Sequence, residues 1–390
     1  FILGAGFSAA IMPLVASAEA QGDQLRVRRV TRMGFWLSAL YGLLVLPAFW
    51  WSSPLLQAFG QQLSLAEEVQ RYLRIAGFAI VPALLMMVVK SYLAALEKTQ
   101  VVLWITVGGV GLNAVLNYAL IFGHWGAPAM GIQGAAIASL LVNLVMFLGV
   151  AFYAAKTAPE HALFHRLWRL DWDVFGAVAR MGVPVGLTSL AESGLFAAST
   201  IMMGWLGTVP LAAHGIAMQL TAATFMIHLG LSNAATIRAG NALGRRDEVH
   251  LRRGAWAVTG VAMVVVAATI YAFLMHPHAL IGLFLDANEG DRALILQAGA
   301  TLLAVAALFQ LVDSVQAMAL GLLRGVHDAG APMVIAGVSY WMIGIPAAYY
   351  MGFVLQWQGV GVWLGLVVGL AVAAGLLMAR FWIWSCKIEP

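Results

Sequence analysis

The chain contains one pattern twice: GFSAAIMPLVASAEAQGDQLRVRR at residues 6–29 and GLSNAATIRAGNALGRRDEVHLRR at residues 230–253. The two copies align without a gap at an offset of 224 residues. Self-similarity of this kind indicates an internal duplication of a larger unit. Seven positions carry the same amino acid in both copies: Gly6/Gly230, Ser8/Ser232, Ala10/Ala234, Ala18/Ala242, Asp23/Asp247, Arg28/Arg252 and Arg29/Arg253.

The amino-acid composition is that of an integral membrane protein. Hydrophobic residues make up 62% of the chain and charged residues 10%, and the mean hydropathy is +0.88. Such a composition excludes a soluble domain, and the 41 glycines suit helices that pack closely in lipid. The single cysteine, Cys386, excludes an internal disulfide. The net charge of +4 comes without a basic stripe, so we expect no nucleic-acid partner.

Eleven apolar segments are long enough to cross a bilayer as helices. The sequence therefore predicts an all-α membrane protein, and duplication within such a protein is typical of transporters. The segments lie near residues 1–18, 32–51, 70–93, 101–122, 132–155, 174–206, 211–236, 254–275, 294–322, 330–353 and 359–384.

The basic residues lie in alternate connectors between these segments. Of the 21 Lys and Arg residues, all but Arg71, Arg74 and Arg292 fall on one side, with Lys90 assigned to the end of its helix. Cytoplasmic loops carry the excess of Lys and Arg in membrane proteins. We therefore expect these connectors and the C-terminus to be cytoplasmic.

The duplication also predicts how the whole protein is organised. Segment 174–206 lacks a counterpart before Phe1, so we expect one further helix upstream and twelve transmembrane helices in total. These would form two pseudo-symmetric six-helix bundles of the same orientation. Residues 1–158 then form the N-terminal bundle without its first helix, residues 159–173 a cytoplasmic linker, and residues 174–390 the C-terminal bundle.

Two acidic residues lie far from the ends of their segments, Glu192 in SLAESGLFA and Asp313 in LVDSVQAMA. A carboxylate at such depth costs several kcal/mol unless it is protonated, paired or hydrated. No Lys or Arg at similar depth in either helix offers an obvious partner. We interpret both as binding sites for H⁺, Na⁺ or a cationic substrate; the alternative is that they stay protonated and only hydrogen-bond to a neighbouring helix.

Other side chains could complete such a site. A hard cation would need further oxygen donors, for which Ser193, Thr188 and Gln310 are candidates. Residues with polar or adaptable side chains are candidates for lining a substrate cavity, although helix contacts or core packing would explain them equally. These residues are Phe225, Met218, Gln219, Asn113 and Asn117.

Two histidines also fall within one apolar segment. We expect neighbouring helices to satisfy the ring nitrogens of His214 and His228, with proton handling as the alternative. The glycine-rich string GVGVWLG at residues 359–365 follows no strand, so we exclude a nucleotide site there. No other motif calls for a cofactor or a bound metal beyond Na⁺ at the two acids.

Three further stretches are distinctive: AAHGIAMQ at 212–219, AATIRAGNALGRRD at 234–247 and VDSVQAMALGLLRGVHDAGAPM at 312–333. With SLAESGLFA, they resemble the multidrug and toxic compound extrusion (MATE) family, in particular its bacterial NorM-like branch. The family's cation-binding acids correspond to Glu192 and Asp313. The resemblance implies a bacterial inner-membrane antiporter that exports amphipathic, commonly cationic, organic compounds in exchange for H⁺ or Na⁺. It would act as a monomer in contact with lipid.

Three other functions remain as alternatives. A flippase for lipid-linked precursors or polysaccharides shares the broad fold, but we expect it to have a more cationic cavity. A membrane-embedded enzyme would need a nucleophile or metal cluster at membrane depth, and the sequence offers none. An ion channel or receptor agrees less well with a duplicated pair of bundles. Between the two coupling ions we favour H⁺, because the neighbours of Asp313 in the sequence supply few oxygen atoms.

Overall fold

A computed structural model describes residues 1–126, 128–286 and 290–387, and within these ranges the chain forms helices and no strands. Eleven helices are long and apolar enough to cross a membrane, which confirms the predicted number of segments. They are α1 (Ile2–Ala20), α2 (Gln24–Trp50), α3 (Leu63–Ala95), α4 (Gln100–Phe122), α5 (Ile132–Thr157), α6 (Trp172–Leu206), α7 (Thr208–Arg245), α8 (Glu248–Met275), α9 (Arg292–Gly325), α10 (Gly330–Val354) and α11 (Gln358–Ser385).

The helices follow the same order in both halves of the chain. Helices α1 to α5 correspond to α7 to α11, and each set has a short helix between its second and third members. These short helices span Ser52–Ala58 and Pro277–Gly282. The architecture therefore repeats as the duplicated sequence predicts.

Identical residues of the repeat make equivalent hydrogen bonds in the two halves. Asp23 caps α2 by accepting the backbone N–H of Arg26 at 2.9 Å, and Asp247 caps α8 by accepting that of His250 at 2.8 Å. Such N-caps satisfy backbone donors that a helix leaves free at its start. The repeated aspartates thus fix where two corresponding helices begin.

The serines of the repeat also have equivalent roles. Ser8 is buried in α1 and donates to the carbonyl of Leu84 in α3 at 3.2 Å. Ser232 is buried in α7 and donates to the carbonyl of Ala317 in α9 at 2.6 Å. Hydrogen bonds of this kind hold neighbouring helices together where water is absent. They join α1 to α3 and α7 to α9.

The chain divides into two compact units, unit 1 at Phe1–Gly186 and unit 2 from Leu187 onward. The division falls inside α6, because the first half of that helix packs closely on α1. A side chain at Gly182 would meet Phe7, and one at Gly186 would meet the backbone of Leu3. The bundle limits at 158 and 174 stay a prediction.

The segment expected to link the bundles is attached to unit 1. Arg29 of α2 forms an ion pair with Asp171, and the hydrogen bond from this guanidinium lowers the pKa of the Asp171 carboxyl. The indole N–H of Trp36 donates to the carbonyl of Leu167 at 2.7 Å. Asp171 is therefore ionised at neutral pH and holds the segment against α2.

Helices α10 and α11 contact each other through glycines spaced four residues apart in α11. A Cβ atom at Gly361 would meet the backbone of Met351, and one at Gly365 would meet the backbone of Ala348. Small residues at this spacing let two backbones approach within lipid. The glycine-rich string at 359–365 is thus part of a helix contact.

We expect Gly365→Leu to destabilise unit 2. The new side chain would be forced against the backbone of α10, and overpacking of this kind costs about 1–3 kcal/mol or more. Membrane abundance and the midpoint of thermal unfolding should both fall. Gly375→Leu in the same helix is the matched control, because nothing lies within 4 Å of a Cβ atom there. Equal behaviour of the two variants would contradict the proposed contact.

Candidate functional site

Asp313 lies in the interior of unit 2. Its helix, α9, places it about three turns or more from either end. The side chain is 2% exposed, and its Oδ1 atom has no hydrogen-bond partner among the described residues. An ionised carboxylate would be costly in this setting, so the group is suited to gaining and losing a bound cation or proton.

Glu192 of α6 lies close enough to Asp313 for the two charges to interact. It is half-buried, and its Oε1 accepts a hydrogen bond of 3.4 Å from the Nε2 of Gln316 in α9. The structure therefore brings together the two acids that the sequence selected. Two carboxylates this close in a medium of low polarity repel each other, and a proton on one of them removes that repulsion.

The structure adds a basic residue that interacts with the acidic pair from a different depth. Arg324, the penultimate residue of α9, is half-buried and interacts electrostatically with Glu192. It follows Asp313 by eleven residues, about three helical turns, so both lie on one face of α9 about 16 Å apart along the axis. Arg324 is therefore not at the depth of Asp313, in agreement with the expectation that no Lys or Arg of these helices lies at that depth.

Tyr340 of α10 adds a residue that the sequence did not indicate. It is fully buried, and its hydroxyl group has no partner among the described side chains. Its surroundings include the charges of Glu192, Asp313 and Arg324. The residue lies in a π-helical stretch, Ser339–Gly344, a deviation that often occurs at functional sites.

The same stretch holds α10 against α6 beside Glu192. The indole N–H of Trp341 donates to the carbonyl of Ala191 at 3.2 Å. Its ring occupies space that any side chain at Gly194 would need. The glycine and the indole together fix where Glu192 and Tyr340 stand relative to each other.

Several buried oxygen atoms of unit 2 lack a partner within the described part of the chain. Gln310, one of the three predicted oxygen donors, donates its amide to the carbonyl of Thr221 at 3.2 Å and to the hydroxyl of Thr224, while its Oε1 stays unpaired. Thr188, a second predicted donor, is buried one turn before Glu192 and is not among the unpaired residues. Other unpaired oxygens belong to Ser314, Gln316 and Ser339.

The two histidines of α7, His214 and His228, differ in their hydrogen bonding. His214 meets the expectation, because its Nδ1 accepts the indole N–H of Trp363 at 3.1 Å and its Nε2 lies 3.1 Å from the hydroxyl of Thr200. For His228 the prediction was wrong. It is 0% exposed, yet neither ring nitrogen has a partner among the described residues. Burial alone did not guarantee a hydrogen bond.

The predicted cavity-lining residues fall in both units. In unit 1, the Asn117 amide donates to the Oδ1 of Asn113 at 2.9 Å, so these two residues pair along α4. In unit 2, Met218 and Phe225 are half-buried and pack against core residues, whereas Gln219 is exposed. A role in substrate binding stays a prediction for all five.

Known proteins are similar to this chain in both sequence and fold. A family model described as MatE matches residues 1–119 and 184–350. The chain is 46% identical over 385 residues to the probable multidrug resistance protein NorM of Rhizobium meliloti (strain 1021), covering 98% of this chain and 82% of that protein. It is 42% identical over 383 residues to a protein of the same name from Agrobacterium fabrum, with the same coverage.

A solved structure has the same fold as this chain. A multidrug resistance MATE family transporter of the MOP superfamily, in an outward-facing conformation, has a TM-score of 0.88 at 20% identity. The match covers 100% of this chain and 86% of that one. The all-α membrane fold and the resemblance to the NorM-like branch are both confirmed. The chain belongs to the MatE family and is a membrane transporter rather than an enzyme, as the sequence predicted.

Proposed function

We propose that this transporter exports small amphipathic organic compounds, commonly cationic, in exchange for H⁺. Its relatives are named as multidrug resistance proteins, which supports an organic and varied substrate. The observation that carries the proposal is the interacting pair of half-buried Glu192 and buried Asp313 in membrane-spanning helices, with an unpaired oxygen on Asp313. Anionic groups in this position attract either a proton or a positively charged compound.

Transport of the two ligands is coupled because the proton and the organic cation compete for the same negative charge on Glu192 and Asp313. With a proton on the pair, the repulsion between the carboxyl groups is removed and a cationic compound gains little from binding. After the proton leaves, the negative charge favours the cation. Export results if the two loaded forms prefer opposite orientations of the transporter, since a ligand moves an equilibrium only through its different affinity for the two states. Alternating access is therefore part of the proposal, and no cofactor enters it.

Na⁺ is the second candidate for the coupling ion. The unpaired oxygens of Gln310 and Tyr340 favour it, because Na⁺ is bound by several oxygen atoms. The buried, unpaired ring nitrogens of His228 favour H⁺ instead, because they suit a proton better than a hard metal ion. The positive charge of Arg324 near Glu192 opposes a bound proton and a bound Na⁺ alike, so it does not distinguish the two ions.

A flippase for lipid-linked or polysaccharide precursors remains the alternative substrate class. Its anionic substrates would call for deep basic residues, whereas the two deeply placed charges here are acidic. Uptake of a fluorescent organic cation into inverted membrane vesicles tests the proposal. Uptake should require an H⁺ gradient across the membrane. Saturable transport of an anionic lipid-linked sugar, without transport of organic cations, would support the flippase instead.

We also propose that the protein lies in the bacterial inner membrane as a lipid-surrounded monomer with its C-terminus in the cytoplasm. The distribution of Lys and Arg supports this orientation. In a background with Cys386→Ser, we expect Ser64→Cys to react with a membrane-impermeant thiol reagent in intact cells. Gln21→Cys and Arg245→Cys should react only after the cells are opened. Labelling of Arg245→Cys from outside would refute both the orientation and the parallel arrangement of the repeats.

A further inference from the structure

His228 is a buried titratable residue that the proposed exchange does not yet use. It lies on the stripe of α7 that recurs every seven residues through His214, Thr221, His228 and Ala235, all of them buried. Leaving a buried polar group without a partner costs about 1–3 kcal/mol, and such groups are rare. A residue kept at this cost indicates a role beyond packing.

Hydrogen bonds between α7 and α9 define which residues face His228. Thr224 is bonded to Gln310, Ser232 to Ala317 and Thr236 to Gly321, which correspond to sequence separations of 86, 85 and 85. The two helices therefore run in parallel with a constant register. The same separation from His228 leads to Asp313 and Ser314.

Unpaired polar atoms are concentrated in this layer. These unpaired atoms are the two ring nitrogens of His228, the Oδ1 of Asp313 and the Oγ of Ser314. An imidazole and a carboxyl group at the same level of two packed helices, buried and not hydrogen-bonded to each other in this structure, have complementary chemistry, because one proton can reside on either. Such a pair titrates as a unit rather than as two separate groups.

The other elements packed against α7 supply few charges. Helix α7 contacts α8, α9 and the short helix Pro277–Gly282, and its His214 is hydrogen-bonded to Thr200 of α6 and Trp363 of α11. In the sequence, α8 has no titratable residue between Arg253 and Tyr271, and α9 has only Asp313 between its terminal arginines. The short helix carries His278.

Between Met181 and its end at Leu206, α6 carries only Glu192 as a titratable residue, and α11 carries only Arg380. Asp313 is thus the acidic residue of α9 at the level of His228, and Glu192 is the acid that α6 supplies.

The duplication provides an internal comparison. At the offset of 224 residues, His228 corresponds to Gly4. Further along the chain the offset is 231 residues, as for Tyr118 and Tyr349, so Asp313 corresponds to Pro82 and Ser314 to Ala83. A side chain at Gly4 would meet Tyr41 and Leu84, so this layer of unit 1 is closely packed and apolar. The repeated fold therefore does not require polar residues at the level of His228, Asp313 and Ser314, although unit 2 has them there.

We propose that His228 is a second proton-binding residue of the exchange site, which takes the proton from Asp313 and returns it. The transfer leaves a carboxylate on Asp313 and an imidazolium at His228, and the reverse step restores the neutral pair. This inference rests on the proposed exchange of H⁺ for organic compounds. It predicts that His228 controls how export depends on pH.

The test compares His228→Leu and His228→Gln with wild type in proteoliposomes. Export driven by an H⁺ gradient should fall about tenfold or more in both variants, as for the loss of a proton-transfer group, and the remaining rate should depend less on pH. Thermal stability should be unchanged or higher, because an unpaired buried group is removed. His214→Gln is the matched control: it should lower stability, since it breaks two hydrogen bonds, but keep the wild-type pH profile.

The outcomes separate this inference from the proposed function. Wild-type rate and pH profile in both His228 variants would overturn the role of His228 while leaving H⁺ exchange intact. Loss of membrane abundance in both variants would also overturn it, because His228 would then be a structural residue. Absence of H⁺-driven export in the wild-type protein would overturn the proposed function and this inference together.

Discussion

Asp313→Asn and Glu192→Gln should each remove nearly all export while both variants reach the membrane in amounts close to wild type. The initial rate should fall by about a hundredfold or more, on the scale seen when a group that binds or transfers a proton is lost. Neither amide can bind a proton or attract a cation as a carboxylate does. The loss therefore comes from the chemistry of the pair.

The fold should tolerate these changes. Asn has nearly the shape of Asp and is cheaper to bury than a carboxylate, and the Oδ1 of Asp313 has no partner to lose among the described residues. Glu192→Gln gives up the interaction with Arg324 but can keep the hydrogen bond from Gln316. We expect a somewhat larger effect on stability at Glu192 than at Asp313.

The measurement is dye accumulation in cells together with membrane abundance of each variant. Glu68→Gln is the control, because Glu68 is an exposed acid of α3 far from the pair in the sequence. It should export at the wild-type rate. Full export by both Asp313→Asn and Glu192→Gln would mean that the two acids only hydrogen-bond to neighbouring helices.

Much of the fold could be predicted because lipid imposes simple requirements on the chain. Long apolar runs must be helical, so all eleven segments were found. Their ends were less certain, since helices continue beyond the apolar run to polar residues such as Gln24 and Glu248. The capping residues Asp23 and Asp247, already visible in the repeat, mark those starts and could have been used.

Residues of the site could be predicted from the sequence only where a single side chain was unusual by itself. Glu192 and Asp313 stood out because a carboxyl group in an apolar run is costly. Tyr340 and Gln316 did not stand out, because their positions depend on how α10 and α9 pack against α6. Arg324 could have been found from its spacing of eleven residues after Asp313, which places both on one face.

The coupling ion provides the second prediction with a large effect. An inward H⁺ gradient should drive strong export, whereas an inward Na⁺ gradient at equal pH should drive little. The physical reason is that the unpaired ring nitrogens of His228, at the level of Asp313 in the neighbouring helix, suit a proton rather than a hard metal ion. An equal concentration of K⁺ in place of Na⁺ controls for ionic strength.

The most direct measurement uses proteoliposomes of a single orientation, loaded with a fluorescent organic cation and given one ion gradient at a time. Our account predicts fast export under the H⁺ gradient, abolition by a protonophore, and almost no export by Asp313→Asn under any gradient. Export driven by Na⁺ alone, unaffected by a protonophore and absent with K⁺, would contradict exchange for H⁺. Export by Asp313→Asn at the wild-type rate would contradict the role of the acidic pair itself.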